Sequence, residues 1–242
     1  MSLKLIKTLC ETDTDDLEIL LFDFLAKNYA RVISKDGYYM FAEGNIPVCL
    51  IAHIDTVSLD YYNSLPNMCL YDNEQDIFHV VGGGTLDDRL GIYMILRIIQ
   101  SEYKPSIIFT NGEELGGFGA EQLIKDYLSC PFDINFIIEL DRKGKNDSVY
   151  YTCNNKNFQN YINSFGFKTA IGTFTDCLII GEAWNIAAVN LSCGYELEHS
   201  IYEYAHLNWT EKNIQKVKKI LDDWVGAKND PSLKMIYNIK EK

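Results

Sequence analysis

The sequence predicts an α/β protein, a three-layer αβα sandwich built on a mixed, mostly parallel sheet. Strand patterns alternate with helical patterns through the middle of the chain, as expected when helices cover both faces of a sheet. The stretch IPVCLIAHID, residues 46–55, is almost wholly apolar up to its last residues, which is typical of a strand buried on both faces. Acidic and histidine residues then recur where the predicted strands end.

The length and composition are those of one globular domain. The chain has 242 residues, of which 47% are apolar, an ordinary share for a globular protein. It contains no internal repeat, low-complexity tract or Pro/Ser-rich linker. We therefore expect residues 1–242 to form a single domain with a substantial core.

Charge and cysteine usage limit the kinds of binding partner and the cellular compartment that we expect. The formal net charge is −12, so the average surface repels phosphate backbones and we expect no nucleic-acid partner. No run approaches the roughly 20 apolar residues of a membrane span, and the first residues offer too short an apolar stretch for a signal peptide. The seven cysteines form no C-x-x-C pair, and Cys49 and Cys193 lie in apolar runs typical of buried thiols. We therefore expect a cytoplasmic protein with no membrane partner.

The first third of the chain predicts one helix and several strands. Residues 13–28 have the pattern of an amphipathic helix, with Thr12 or Asp13 as its cap. A β-hairpin is predicted around Asp36-Gly37 within ARVISKDGYYMFAEG. Strands are then predicted over 46–55 and 76–83.

The remaining two thirds continue the alternation. The periodicity predicts helices over 87–101, within 112–129, over 155–167 and over 210–227. Strands are predicted over 106–111, 133–141, 147–153 and 185–194. Thr210 is predicted to be the N-cap of the last helix.

Polar groups mark the ends of these strands. His53-x-Asp55 comes first, and residues two apart on a strand share a face, so an imidazole and a carboxylate would lie together. The later groups are Asp87-Asp88, Glu113-Glu114, Glu139 with Asp141, and the acids around His199 in GYELEHSIYE. Ligands of α/β sheets bind beyond the carboxyl ends of the strands, which is where these groups fall.

Each group alone also has a purely structural interpretation. A pair of acids before a helix is usually a cap or a partner of the helix dipole, and His-x-Asp is compatible with a simple polar strand end. Together, however, the groups would bring like charges into contact, at a cost on the order of several kcal/mol unless a cation neutralises them. Mixed histidine and carboxylate ligands suit zinc, with cobalt or manganese as substitutes.

The order of these groups resembles that of the two-zinc (co-catalytic) aminopeptidase superfamily. Its members include bacterial leucyl aminopeptidase and the deblocking (glutamyl) aminopeptidases. The resemblance runs from about Pro47 to Glu203 and covers His-x-Asp, Asp-Asp before a helix, Glu-Glu before glycine, a later strand-end Asp and a final His. It implies a zinc-peptidase catalytic domain that hydrolyses N-terminal peptide bonds.

The resemblance also implies two divalent metal ions, zinc or else cobalt or manganese. It assigns one ion to His53, Asp87 and Asp141, and the other to Asp87, Glu114 and His199. We choose Asp141 because it is the last residue before the Arg-Lys-Gly turn, and Glu139 remains the alternative because the two share a side if the strand continues. The Asp87–Asp88 peptide bond becomes a candidate for the cis form.

The catalytic roles follow from the same resemblance. Glu113 would be the general base, taking a proton from a metal-bridging water and passing it to the leaving amine. Asp55 would orient His53. A free substrate amine would bind the second ion or a nearby acid, for which Glu196, Glu198 and Glu203 are candidates. Because Glu203 lies four residues after His199, the two share a face if their segment is helical.

The resemblance leaves some points open. Thr175-Asp176 would lie near the substrate, or else would cap a helix. The gaps between the motifs are too short for the inserted or lid domains of many relatives, so we expect a lidless catalytic domain, a monomer or a small homo-oligomer. The substrate would be a peptide or a small amide. The alternatives are a related metal-dependent amidohydrolase or deacylase acting on an N-acyl amino acid, and an inactive metal-binding domain.

Overall fold

The structure is a computed structural model that describes residues 2–57, 68–82, 84–226 and 235–237. The helices of these residues are α1 Leu3–Glu11, α2 Thr14–Asn28, α3 Leu86–Gln100, α4 Phe118–Asp126, α5 Lys156–Ser164, α6 Asp176–Trp184 and α7 Leu207–Trp224. The strands are β1 Val32–Lys35, β2 Tyr39–Ala42, β3 Ile46–His53, β4 Met68–Asp72, β5 Ile77–Val81, β6 Pro105–Thr110, β7 Phe136–Arg142, β8 Asp147–Val149, β9 Lys168–Ala170, β10 Ala188–Ser192, β11 Tyr195–Glu196 and β12 Tyr204–Ala205.

The main sheet has eight strands in the order β1-β2-β6-β3-β7-β10-β8-β9. Its centre, β6-β3-β7-β10, is entirely parallel. The hairpin β1-β2 joins β6 antiparallel on one side, and β8 joins β10 antiparallel on the other. The predicted mixed, mostly parallel sheet is therefore confirmed.

Helices cover both faces of this sheet, because the apolar residues of β3 alternate between them. Val48, Leu50 and Ala52 face a cluster that includes residues of α1, α2, α3, α5 and α7. Cys49 and Ile51 face a second cluster with residues of α4 and α6. Burying each large aliphatic side chain contributes about 1.5–3 kcal/mol. The predicted three-layer sandwich is confirmed, and the apolar run of β3 exists because both of its faces are covered.

A second sheet of four short antiparallel strands, β11-β12-β5-β4, lies outside the sandwich. The predicted strand over 76–83 is confirmed as β5, but it belongs to this small sheet. The other three strands of this sheet, together with β9 and α1, were not predicted from the sequence, and α6 was anticipated only through the alternative interpretation of Thr175-Asp176 as a helix cap. Two of them, β11 and β12, have only two residues each, and β4 alternates between exposed and buried residues rather than forming an apolar run.

Some predicted boundaries are wrong for identifiable reasons. Thr210 does not cap α7, which begins at Leu207. Thr210 is buried inside the helix, and its hydroxyl donates to the carbonyl of Cys193 at 2.7 Å. The strand predicted over 147–153 ends at Val149 because the chain turns at Tyr151, which has a φ of 50°.

Other boundaries agree closely. Asp13 caps α2 by accepting the N–H of Asp16 at 2.8 Å, and the β1-β2 hairpin turns at the predicted place. Cys49 and Cys193 are buried, as expected. Among the described residues, no helix combines the length and the apolar character that crossing a membrane requires.

Candidate metal centre

The first two residues of the site come from neighbouring parallel strands. His53 is the last residue of β3, and Asp141 lies near the end of β7. Because β3 and β7 pair in parallel, these strand ends meet at one edge of the sheet. His53 Nε2 lies 3.5 Å from Asp141 Oδ1, and the imidazole is only 1% exposed.

Asp87 enters from the start of α3. The Asp87–Asp88 peptide bond is cis, in agreement with the expectation from the resemblance, and both residues have non-helical backbone angles. The Asp87 carboxylate faces two imidazoles, with Oδ1 3.2 Å from His53 Nε2 and Oδ2 3.2 Å from His199 Nε2. The Asp88 carboxylate instead accepts two backbone N–H groups, that of His53 at 3.2 Å and that of Gly91 at 2.9 Å.

The Glu113-Glu114 turn follows β6 at the same edge of the sheet. Its backbone is held by the Asp55 carboxylate, which accepts the N–H of Glu113 at 3.2 Å and that of Glu114 at 3.1 Å. Glu114 Oε1 lies 2.9 Å from His199 Nε2. Asp55 is thus a support for the turn that carries both glutamates.

Asp55 also reaches His53, but mainly through its main chain. His53 Nδ1 lies 2.9 Å from the Asp55 carbonyl oxygen and 3.4 Å from the nearer carboxylate oxygen. The chain has left β3 by this point, so the two side chains do not sit side by side on a strand as the sequence pattern suggested. A hydrogen bond at Nδ1 leaves Nε2 directed at Asp87 and Asp141.

His199 reaches the cluster from a loop. The segment between β11 and β12 is not helical, so the condition under which His199 and Glu203 would share a face is not met. Leu197 and His199 have φ values of 58° and 57°, in the left-handed region. The His199 side chain is 49% exposed, in contrast to that of His53.

The structure separates Glu139 from Asp141. Glu139 is fully buried behind the cluster, where it accepts the Thr175 hydroxyl at 2.5 Å and the N–H of Cys177 at 3.2 Å. Asp141 instead faces His53. The geometry therefore favours Asp141 over Glu139 as the ligand.

Thr175 and Tyr195 both contact Asp141. The sequence placed Thr175 near the substrate or at a helix cap, and Tyr195 was not identified as part of the site. Thr175 occupies the N-cap position of α6, but its hydroxyl donates to Glu139 and, at 3.0 Å, to Asp141 Oδ2. The Tyr195 hydroxyl donates to the Asp141 carbonyl at 2.7 Å. Polar partners on several sides thus fix the orientation of Asp141.

Glu203 has a different role from the one predicted. Its buried carboxylate accepts the backbone N–H groups of Thr85 at 2.7 Å, Leu86 at 2.8 Å and Asp87 at 3.2 Å. It therefore caps α3, whose own N-cap residue makes no side-chain cap. The interpretation of Glu203 as an acid that binds a substrate amine is wrong, because both of its oxygens are occupied and shielded from solvent. No local sequence signal identifies this role.

Acidic side chains dominate the electrostatics of the cluster. Burial, together with the charge of Asp87, raises the pKa of Asp141 to about 7, and burial with nearby acids raises the pKa of Glu113 to about 9. Although burial opposes it, contacts with Asp141, Asp55 and Asp87 hold the pKa of His53 well above its ordinary value. No lysine or arginine within the described residues forms an ion pair with Asp87, Glu114 or Asp141.

The donor set fits divalent metal ions. Ligand atoms of His53, Asp87 and Asp141 lie within 4.8 Å of one another, and so do those of Asp87, Glu114 and His199. The two triads share Asp87, which has one oxygen directed at each imidazole. Imidazole nitrogen and carboxylate oxygen are typical zinc ligands, and a cation here would offset the clustering of acids.

A cleft of about 150 Å³ opens over these residues. Asp87, Glu113, Asp141 and His199 line it on the cluster side. Its other lining residues include Arg142, Lys143, Tyr151, Asn190 and Phe174. The cluster is therefore accessible to a small molecule or to the end of a longer one.

Comparison with solved structures finds the same fold in peptidases. A tripeptidase from Staphylococcus aureus superposes with a TM-score of 0.74 at 13% identity, covering 93% of this chain and 98% of that one. A TET aminopeptidase from a marine sediment thaumarchaeon gives a TM-score of 0.70 at 13% identity, covering 95% and 97%. A Zn-dependent exopeptidase from Parabacteroides distasonis gives 0.62 at 12% identity, covering 85% and 88%.

Comparisons with protein-family models and with curated protein sequences found no match. At 12–13% identity the structural likeness establishes the fold. The resemblance to the two-zinc aminopeptidases is therefore confirmed at the level of the fold.

Proposed function

We propose that this protein is a metallo-aminopeptidase that uses two divalent ions to hydrolyse N-terminal peptide bonds. The observation that carries the proposal is the pair of ligand triads that share Asp87, with Glu113 lining the same cleft. The shared fold of the solved peptidases supports it. Zinc is the preferred metal, with cobalt or manganese as substitutes.

Each residue of the cluster has a definite part in this proposal. His53, Asp87 and Asp141 would hold one ion, and Asp87, Glu114 and His199 the other. Such ions, when bound, polarise the substrate carbonyl and lower the pKa of water. Asp55 keeps the Glu113-Glu114 turn and the His53 ring in place through the hydrogen bonds described above.

Glu113 acts as the general base. Its side chain lines the cleft, and its carboxylate comes within 4.8 Å of ligand atoms of His53 and Glu114. Cations bound beside Glu113 would offset the burial and the neighbouring acids that raise its pKa, so that it could accept a proton from the attacking water and donate one to the leaving amine, a contribution of about 10²–10⁴-fold to the rate. Glu113 also belongs to a third group of possible ligands, with His53 and Glu114, but it lies outside the two triads that share Asp87 and is therefore free to move that proton.

The test is Glu113→Gln, assayed on a mixed peptide pool with zinc- or cobalt-loaded protein. We expect mass spectrometry to show peptides that have lost N-terminal residues with the wild type, and a rate about 10²–10⁴-fold lower with the variant. Both proteins should bind the same amount of metal. Glu74→Gln, in the exposed turn between β4 and β5, is the matched control and should behave as the wild type.

An unchanged peptide pool with metal bound would overturn the aminopeptidase proposal. Equal rates for Glu113→Gln and the wild type would overturn the role of Glu113. Three further expectations remain predictions alongside this proposal: one domain over residues 1–242, a monomer or small homo-oligomer, and a cytoplasmic location.

A further inference from the structure

Two cationic side chains line the cleft directly beside the acidic cluster. Arg142 and Lys143 follow Asp141 at the end of β7, and both contribute to the cleft wall. The chain as a whole carries a net charge of −12, and the cluster side of the cleft is acidic. An anionic substrate group would be repelled from such a site unless local cations received it.

Arg142 has hydrogen-bonding capacity that the protein does not use. A guanidinium group has five N–H donors. The only hydrogen bond of this side chain within the described residues runs from Nη2 to the carbonyl of Ile171, and it is long, at 3.4 Å. Its Nε is buried without a hydrogen-bond partner. A buried donor without a partner is costly, and the long Nη2 contact leaves the outer nitrogens of the guanidinium available to a ligand in the cleft.

The structural alternative is that Arg142 serves only to pair with Asp147. The closest approach of the two side chains is 3.7 Å, between Nη2 and Asp147 Oδ2. Charge-assisted hydrogen bonds between guanidinium and carboxylate groups are typically about 2.7–2.9 Å long. This pair is therefore loose, and it leaves Arg142 able to bind a second carboxylate.

Lys143 differs, because it already has a close partner. Its ammonium group forms an ion pair with Glu198, the residue before His199. Lys143 therefore contributes to the charge balance of the cleft wall, whereas Arg142 carries the open donors. The planar guanidinium is also the group that matches a carboxylate with two parallel hydrogen bonds.

We propose that Arg142 binds a carboxylate of the substrate, so that the preferred substrates carry a carboxylate close to the scissile amide. This inference rests on the proposed amide hydrolysis and adds the substrate class to it. The carboxylate is either the C-terminus of a short peptide or N-acyl amino acid, or an acidic side chain. Arg142 is thus a specificity-determining residue.

The experiment compares kcat/KM for two matched pairs of substrates with metal-loaded protein. Ala-Ala against Ala-Ala amide tests the C-terminal carboxylate, and Glu-Ala amide against Gln-Ala amide tests the side chain. We expect one carboxylate-bearing member to be preferred about 10- to 100-fold, mainly through KM, as a hydrogen-bonded charge pair allows. Arg142→Gln should lower kcat/KM for the carboxylate-bearing substrate to the value for the matched substrate without the carboxylate. Arg142→Lys should keep only part of the preference.

Arg31→Gln is the control, since Arg31 pairs with Glu43 on the exposed surface. It should keep the wild-type preference. If Arg142→Gln does not fold, the inference is tested by the preference of the wild type and by its reduction in Arg142→Lys. Equal kcat/KM values within both pairs, or a preference unaffected by these variants, would overturn the inference while leaving the peptidase intact.

A complete absence of hydrolysis in all four substrates would count against the proposed function instead. Calorimetry would then measure the binding of N-acetyl-leucine and of its amide to the metal-loaded protein. This measurement tests carboxylate binding by Arg142 independently of hydrolysis. Tighter binding of the acid, lost in Arg142→Gln, would support the inference. Equal binding of the acid and the amide would overturn it.

Discussion

The two histidines of the cluster contact the same aspartate at the same distance, yet the fold holds them in opposite ways. His53 ends a buried central strand, is 1% exposed, and has its Nδ1 fixed by the Asp55 carbonyl at 2.9 Å. His199 stands on a loop in a left-handed backbone conformation, and its side chain is 49% exposed. Each imidazole lies 3.2 Å from Asp87.

This difference implies that the two proposed metal positions are not equivalent. Ordering the backbone of one residue costs about 1–2 kcal/mol, and the strand position has met this cost through the folding of the sheet. The loop position depends on fewer local contacts. We therefore expect the ion held by the His53 triad to bind more tightly than the ion held by the His199 triad.

The largest effect should come from removing either histidine. Replacing only a supporting residue of a metal site typically costs about 10–100-fold in affinity, so loss of a ligand should cost more. We expect His199→Ala to retain one tightly bound ion and His53→Ala to retain less metal than His199→Ala. Metal content after dialysis, measured by mass spectrometry, checks this. Equal loss of metal from the two variants would show that the two positions do not differ in affinity.

A smaller effect is expected for Asp55→Asn. Its carboxylate accepts the N–H groups of Glu113 and Glu114, so the amide would weaken the support of the turn, while the main-chain contact of Asp55 with His53 would remain. We expect about 10–100-fold weaker metal binding by calorimetry. Asp72→Asn is the matched control, because Asp72 also accepts two N–H groups, from Glu74 and Gln75, in an exposed turn. Wild-type affinity in Asp55→Asn would contradict the supporting role.

The smallest expected effect is on stability, from Glu203→Gln. The amide keeps only one acceptor oxygen for three backbone donors of α3, so a buried donor loses its partner. We expect the free energy of unfolding in urea to fall by about 1–3 kcal/mol. Glu18→Gln should cost less, because its amide oxygen can still accept the single 3.2 Å hydrogen bond from the N–H of Gly37. If the two variants were equally stable, the capping role of Glu203 would be wrong.

Much of the fold could be predicted because its central elements have strong patterns. The run in β3 is apolar throughout because both faces are covered, and α2 has its cap at Asp13. The small sheet could not be predicted, since its strands depend on pairing across the chain rather than on composition. Thr210 misled the helix prediction because a buried threonine hydroxyl can bond within a helix as well as cap one.

The site could be predicted as a set of residue types, but not as a geometry. Strand ends gather at one edge of a parallel sheet, which is why His53 and Asp141 were placed together correctly. Local sequence does not reveal that the Asp55 carboxylate supports the Glu113-Glu114 turn, or that Glu203 caps α3. These contacts join residues that are far apart along the chain, at separations of 58 to 118 residues.

The cap on α3 also bears on the order in which the polypeptide is made. When the ribosome has synthesised His53, Asp87, Glu113, Glu114 and Asp141, the start of α3 still lacks the partner for three of its donors. That partner, Glu203, emerges only after His199, the last of the proposed ligands in the chain. A nascent chain therefore acquires its final ligand and the support of its shared aspartate almost together, late in synthesis. An incomplete chain lacks both.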